Sequence, residues 1–232
     1  MDDCSRITSY FFTQSDNLFG LLNSFESHTG VILDDIETAI PFGDEDISIS
    51  RSHFISEVEE SETCALIISG EGGTGKTALI KELYEKKGEN DAFYVHKATE
   101  FSVCSLNEFL SGVFLKDFIE AHEGAENKTV VIDSAEHLLS LENTDPIKEY
   151  LSNLITTGWK VYFTTRNTYL DDLIFQLCEV YKISFKSIHI EKLDEDTLFG
   201  LAQKHDFIIP GDKKFKALIL TPFYLKEYLK YY

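Results

Sequence analysis

The chain has 232 residues and a formal net charge of −19 at pH 7, with 40 Asp and Glu against 21 Lys and Arg. Its length suits one α/β domain with a small appendage, or two small domains. The acidic balance argues against a general nucleic-acid-binding surface, which needs clustered basic side chains that displace counterions. No apolar run approaches a membrane span and the N-terminus lacks a signal-peptide layout, so we expect no membrane partner. The 4 Cys are scattered without a Cys-x-x-Cys pair, which predicts reduced thiols in a cytoplasmic protein.

Residues 1–50 contain no recognisable catalytic or binding pattern. The apolar side chains between positions 11 and 25 recur at helical spacing and predict an amphipathic helix that begins near Ser15 or Asp16. Residues 34–46 are acidic and contain a proline and a glycine, so they predict a linker or surface loop.

The most informative stretch matches G-x-x-x-x-G-K-[ST], between an apolar run that predicts a buried strand and a helical pattern that follows it. In this context the backbone N–H groups of the loop are expected to point towards one spot, where they can bind an anion. The N-terminus of the following helix adds partial positive charge there. Lys76 is expected to reach the β- and γ-phosphates of a nucleotide, and the Thr77 hydroxyl to bind Mg²⁺. The expected phosphate-binding residues are Gly70, Glu71, Gly72, Gly73, Thr74, Gly75, Lys76, Thr77 and Ala78.

A second informative stretch ends in a carboxylate. Residues 129–132 are apolar or β-branched and precede Asp133, which predicts a buried parallel strand with an acid at the end where open α/β sheets bind ligands. Asp133 is therefore a candidate for the Mg²⁺ shell. Glu136 follows three residues later, and it is either the base that polarises the attacking water or an acidic residue at a helix start or on the surface.

A later predicted strand ends in Thr164, Thr165 and Arg166. At the same sheet edge as Lys76 this polar cluster could sense a γ-phosphate; the alternative for Arg166 is a surface salt bridge of little energetic weight.

The remaining pattern alternates strands and helices. Strands are predicted around residues 93–96 and 185–190, and residues 105–120 predict a helix that packs on the sheet. Such alternation is typical of a parallel three-layer α/β fold. Residues 191–232 predict a small helical unit, which is too small for a core of its own and must pack on the α/β domain.

Taken in order, these motifs resemble the STAND class of P-loop NTPases, which includes the NACHT and NB-ARC nucleotide-binding domains and is related to AAA+ ATPases. The resemblance covers roughly residues 50–232. It rests on the loop at residues 70–77, on Asp133 with Glu136, on the strand end at residues 163–166, and on Thr221-Pro222 in the helical unit.

The resemblance implies a five-stranded parallel sheet of order 5-1-4-3-2 with a helical lid. It divides the chain into an N-terminal extension (1–50), a nucleotide-binding domain (51–190) and the lid (191–232). It also implies that Arg51 flanks the adenine and sugar, that Arg166 is the sensor arginine, and that Pro222 lines the adenine pocket.

Three functions follow from these features. The first is a signalling switch, such as the core of an anti-phage or immune-type sensor, which binds ATP or ADP with Mg²⁺ and hydrolyses ATP slowly. It would form a homo-oligomer on activation and respond to an unknown protein ligand or effector. The second is an AAA+-like motor or loader, and the third is a nucleotide-bound scaffold without hydrolysis. The absence of an N-K-x-D pattern favours ATP over GTP.

The chain also departs from the class that it resembles. Its second acidic motif is Asp-Ser-Ala-Glu rather than the acidic pairs common there, which bears on the catalytic assignment. No winged-helix domain or repeat array is recognisable after the lid, so we expect the core of a longer protein or a truncated relative.

Overall fold

The computed structural model describes residues 2–231, with side chains described from residue 16 onward. No helix in that part of the chain combines the length and apolar character needed to cross a membrane. The helices are α1 (Asp2–Asp34), α2 (Ser52–Glu59), α3 (Lys76–Glu85), α4 (Leu106–Phe109), α5 (Leu115–Glu120), α6 (Asp145–Thr156), α7 (Leu170–Phe175), α8 (Glu195–His205), α9 (Lys213–Ile219) and α10 (Pro222–Leu229). The strands are β1 (Ala39–Phe42), β2 (Glu45–Ser48), β3 (Ala65–Gly70), β4 (Ala92–Lys97), β5 (Lys128–Asp133), β6 (Lys160–Arg166) and β7 (Lys186–Ile190).

Five parallel strands form the central sheet in the order β4-β5-β6-β3-β7. Counted along the chain from β3, this is the order 5-1-4-3-2, so the predicted sheet is confirmed. Because the strands are parallel, the C-terminal ends of β3, β5 and β6 lie at one edge. Gly70, Asp133 and Arg166 are the last residues of these three strands.

Apolar layers cover both faces of the sheet. Successive residues of a strand point to opposite faces, so Ala65 and Ile67 of β3 join one core cluster, and Leu66 and Ile68 join the other. All four side chains are fully buried. Burial on both faces explains why β3 is apolar throughout rather than alternating, as is typical of a parallel strand. The result is the expected three-layer architecture.

Helix α1 covers the edge strand β4. Leu21 and Phe25 are buried against the sheet, and the Thr29 hydroxyl accepts a hydrogen bond from the backbone N–H of Val95 at 2.9 Å. This contact satisfies one donor of a strand edge that would otherwise be open. The sequence predicted that this helix begins near Ser15 or Asp16, but it begins at Asp2. No Gly or Pro interrupts residues 2–15, so the helix can extend through them.

The acidic stretch at residues 34–46, which the sequence predicts to be a linker or surface loop, contains most of a β-hairpin. Strands β1 and β2 pair antiparallel around Gly43, whose φ of 61° permits the tight turn. Ile40 and Ile47 stand opposite each other and are buried against α8, α9 and α10 in a third core cluster. The hairpin therefore forms because its two inward side chains complete the core of the helical unit.

The stretch at residues 105–120 is two short helices rather than one. Ser111 and Gly112 have φ angles of 52° and 86°, which a continuous helix cannot contain. The predicted contact with the sheet nevertheless holds, since Leu106, Leu110 and Phe118 are buried.

Candidate functional site

The glycine-rich loop joins β3 to α3 with an unusual backbone. Gly73 and Gly75 have φ angles of 80° and 100°, a region that other residues rarely enter. Within the described chain, no protein acceptor takes the backbone N–H groups of Gly73, Gly75, Lys76 and Thr77. Unused N–H groups at the start of a helix of ten residues form a site that can hold an anion.

The ammonium group of Lys76 lies inside this loop. Its Nζ donates to the carbonyl oxygens of Gly70 at 3.0 Å and Glu71 at 2.9 Å. Burial lowers the pKa of Lys76 below its usual value; Arg166 acts in the same direction, whereas Glu136 and Asp133 raise it. The structure therefore brings together at one sheet edge four side chains that the sequence placed on separate elements.

Asp133 is held by a neighbouring strand. Its Oδ1 accepts a hydrogen bond from the hydroxyl of Thr164 at 2.6 Å, and the same hydroxyl accepts one from the backbone N–H of Ser134 at 3.0 Å. Thr164 is almost fully buried, so it fixes the direction of the carboxylate. Sequence reasoning counted Thr164 as part of a polar cluster but did not identify this positioning contact.

Glu136 and Arg166 face each other across the same edge. Glu136 lies in a 3₁₀ turn (Ala135–Ser140), and its Oε1 is 3.6 Å from Nε of Arg166. Its other carboxylate oxygen is buried and has no hydrogen-bond partner in the described chain, whereas the Arg166 side chain is 64% exposed. Buried carboxylate oxygens normally have a donor. This one is free to accept a hydrogen bond from a water molecule or a ligand.

Arg51 lies under the glycine-rich loop and is not a solvated helix start, because its side chain is only 6% exposed. Its Nη1 donates to Glu82 Oε1 at 2.5 Å and to the carbonyl oxygen of Thr38 at 3.1 Å. A Cβ at Gly75 would be 3.0 Å from the guanidinium, so the two are in close contact. Arg51 therefore joins the loop, α3 and the segment before β1; Glu82 is a partner that sequence reasoning missed.

Two cavities flank Arg51 and share Ile49 and Pro222 as lining residues. The first, of about 360 Å³, also borders Gly73, Gly75, Lys76, Thr77 and Ala78. The second, of about 550 Å³, extends towards Thr74 and the residues that follow β7. Both have room for a small ligand group, since ligand pockets commonly measure about 300–1,000 Å³. Arg51 and Pro222 are thus next to the loop, where the resemblance places a base and sugar.

The helical unit touches the loop directly. The backbone N–H of Phe223, near the start of α10, donates to the carbonyl oxygen of Gly73 at 3.1 Å. A Cβ at Gly73 would be 2.6 Å from Cβ of Phe223, which is closer than two side chains can approach. Only glycine therefore allows both the loop conformation and this contact.

We expect Gly73→Ala to separate α10 from the loop and to lower the free energy of unfolding by about 1–3 kcal/mol, because it adds backbone strain and overpacking. Thermal unfolding measured by circular dichroism tests this expectation. Gly200→Ala in α8 is the control, since nothing lies within 4 Å of its added Cβ. Equal stability of the Gly73→Ala variant and the parent would contradict the close contact.

No group of three or more His, Cys, Asp or Glu side chains in the described chain could hold a metal ion alone. Thr77 and Asp133 would instead contribute oxygen ligands, the type that Mg²⁺ prefers. Mg²⁺ is usually bound by one or two protein ligands together with phosphate oxygens and water. The residues present fit that mode of binding.

Comparison with solved structures supports this fold. The chain is similar to the Walker-type ATPase PABY2304 of Pyrococcus abyssi, with a TM-score of 0.55, 15% identity, and coverage of 85% of this chain and 71% of that one. It is also similar to AMPPCP-bound DnaA from Aquifex aeolicus, with a TM-score of 0.52, 16% identity, and coverage of 77% and 59%. A further similar structure is the replication initiator DnaA bound to AMPPCP and single-stranded DNA, with a TM-score of 0.51, 15% identity and the same coverage.

The chain therefore spans less than two thirds of the DnaA chains that it resembles. No protein-family model and no curated protein matches it. The solved structures bear out the fold that the resemblance implies, and they do not single out the STAND class. Its five-stranded parallel sheet flanked by helices is an α/β fold of the P-loop NTPase type.

Proposed function

We propose that this chain is the ATP-binding core of a nucleotide-controlled signalling switch. The observation that carries the proposal is the hydrogen bond from Phe223 in the helical unit to Gly73 in the glycine-rich loop. A phosphate held by the loop changes the surroundings of that carbonyl, and the helical unit can respond as a lid. Binding free energy that differs between two lid positions is what shifts such an equilibrium.

The residues take the following roles in the proposal. The loop from Gly70 to Ala78 holds the phosphates of ATP or ADP, with the Lys76 ammonium on the β- and γ-phosphates. Thr77 and Asp133 hold Mg²⁺, which neutralises phosphate charge when bound. Glu136 is the general base that activates the attacking water, and Arg166 senses the γ-phosphate. Arg51 and Pro222 contact the adenine and the sugar.

An AAA+-like motor or loader fits the fold equally well. Such enzymes need an arginine supplied across a subunit interface. Arg51 is buried against Glu82 and cannot serve, whereas Arg166 is 64% exposed and could reach a neighbouring subunit. The DnaA structure with single-stranded DNA makes nucleic acid a possible substrate of such a motor, and the net charge of −19 opposes it.

The size of the protein in solution distinguishes the two functions. The switch predicts that a non-hydrolysable ATP analogue with Mg²⁺ produces a larger homo-oligomer, that ADP does not, and that hydrolysis by the isolated chain is slow. Light scattering and a steady-state ADP assay measure these properties. A stable nucleotide-dependent ring with fast hydrolysis would favour the motor. An unchanged size with every nucleotide would contradict the switch.

A further inference from the structure

Residues 35–38, which we call the strap, connect α1 to the hairpin and line the cavity of about 360 Å³ beside the loop. Two side chains near the glycine-rich loop donate hydrogen bonds to backbone carbonyl oxygens of the strap. Lys81 Nζ in α3 donates to the carbonyl oxygen of Ile36 at 2.8 Å, and Arg51 donates to that of Thr38 at 3.1 Å. The strap is thus one wall of the cavity, anchored to the helix that starts at the loop.

The lid supplies the facing wall. Lys226 in α10 lines the same cavity, and its Nζ is 2.7 Å from Oε2 of Glu37 in the strap. The two side chains are 27% and 46% exposed, so this ion pair bridges the cavity near the solvent. A group that leaves the cavity on this side has to pass between the strap and α10.

The hairpin connects the strap to the lid, because the hairpin and the lid helices share one hydrophobic core. Ile40 and Ile47 share one core with α8, α9 and α10, and the rings of Phe42 and Phe207 pack edge to face at 6.1 Å. Any displacement of the lid helices that keeps this core intact therefore carries the hairpin along. At its other end the strap follows α1, where Leu33 is buried against α2 and α3 in a different core cluster.

From these contacts we propose that the Glu37–Lys226 pair is a clasp that controls how fast nucleotide leaves the cavity, and that the hairpin and lid move as one body. The inference rests on the proposed function, because it requires a nucleotide in this cavity. A lid that opens has to break the clasp and pull on the strap. Nucleotide occupancy would thereby be transmitted to the end of α1.

Charge exchange in the full chain tests the clasp. Glu37→Lys and Lys226→Glu each place like charges together, and the double exchange restores an attractive pair. The readout is the dissociation rate of fluorescently labelled ADP, chased with unlabelled ADP. We expect each single exchange to raise this rate about three- to tenfold at low salt, as befits a partly exposed ion pair that becomes repulsive. The double exchange should return the rate to near that of the parent, and high salt should remove most of the difference.

The matched control is the Glu195–Lys216 pair, which joins α8 to α9 within the lid and has similar exposure. Exchanging its charges should leave ADP release unchanged. Single exchanges at Glu37 and Lys226 that release ADP at the parent rate would refute the clasp while leaving the proposed function standing. A parent chain that binds no ADP would refute both.

Hydrogen exchange gives a second, independent measurement. When ADP is replaced by a non-hydrolysable ATP analogue, the backbone amides of β1 and β2 should change protection together with those of α8 and α10. A change in the lid with none in the hairpin would overturn the proposal that they move as one body.

Discussion

Replacing Lys76 with alanine should weaken the binding of ATP and ADP by about 100-fold or more, because hydrogen bonds to charged groups contribute about 1.5–3 kcal/mol each. Among the described residues, the hydrogen-bond acceptors of this ammonium group are the loop carbonyl oxygens of Gly70 and Glu71. The substitution therefore removes the proposed phosphate ligand, and Lys76 belongs to none of the three core clusters. Isothermal titration with Mg²⁺ and each nucleotide measures the affinity.

Lys86→Ala is the matched control for this prediction. Lys86 follows the last residue of α3, is 56% exposed and is only loosely paired with Glu59 at 3.8 Å. Nucleotide affinity should be unaffected by its loss. Parent-like affinity in the Lys76→Ala variant, with an intact circular dichroism spectrum, would show that the loop does not hold the phosphates.

The sheet edge that carries the proposed catalytic residues could be predicted from the sequence, because each of these residues lies at or just after the end of a buried strand. The apolar runs before Gly70, Asp133 and Arg166 identify the strands, and parallel pairing places their C-terminal ends at one edge. The structure adds that Glu136 and Arg166 face each other and that Thr164 orients Asp133. Those contacts depend on side-chain directions that spacing along the chain does not determine.

The contacts around Arg51 could not be predicted in this way, because they join distant parts of the chain. Arg51 and Glu82 are 31 residues apart, and nothing in the pattern of α3 marks Glu82 as the partner of a buried arginine. The hairpin is hidden for a similar reason. In β2 the residues around Ile47 are polar and exposed, so the pattern resembles a surface loop. Ile40 and Ile47 are buried by helices at the far end of the chain, which spacing along the sequence does not reveal.

Changing Glu136 to glutamine should lower the rate of ATP hydrolysis by about 100-fold or more, the range found when a general base is removed. ATP binding should persist, because Glu136 does not belong to the glycine-rich loop and glutamine has nearly the same shape. The loss of the carboxylate also releases Arg166 from its partner at 3.6 Å, so the guanidinium remains available to a γ-phosphate. We therefore expect this variant to accumulate in its ATP-bound form.

That expectation separates the three functions. In a switch, the Glu136→Gln variant should keep the larger assembly under ATP for as long as ATP remains, whereas the parent should return to the smaller form as ATP is hydrolysed. In a motor, the same substitution should stop a fast turnover that is readily measured in the parent. In a scaffold that does not hydrolyse nucleotide, ADP formation and assembly size should be the same in both proteins.

Single-turnover hydrolysis and light scattering on the same samples make this comparison. Glu142→Gln is the control, since Glu142 is an exposed carboxylate six residues later, and its loss should change neither quantity. Unchanged hydrolysis in the Glu136→Gln variant would assign Glu136 a structural role beside Arg166. Glu136 Oε2 is buried and has no hydrogen-bond partner among the described residues, and it is the atom to which the attacking water would donate in the proposed mechanism.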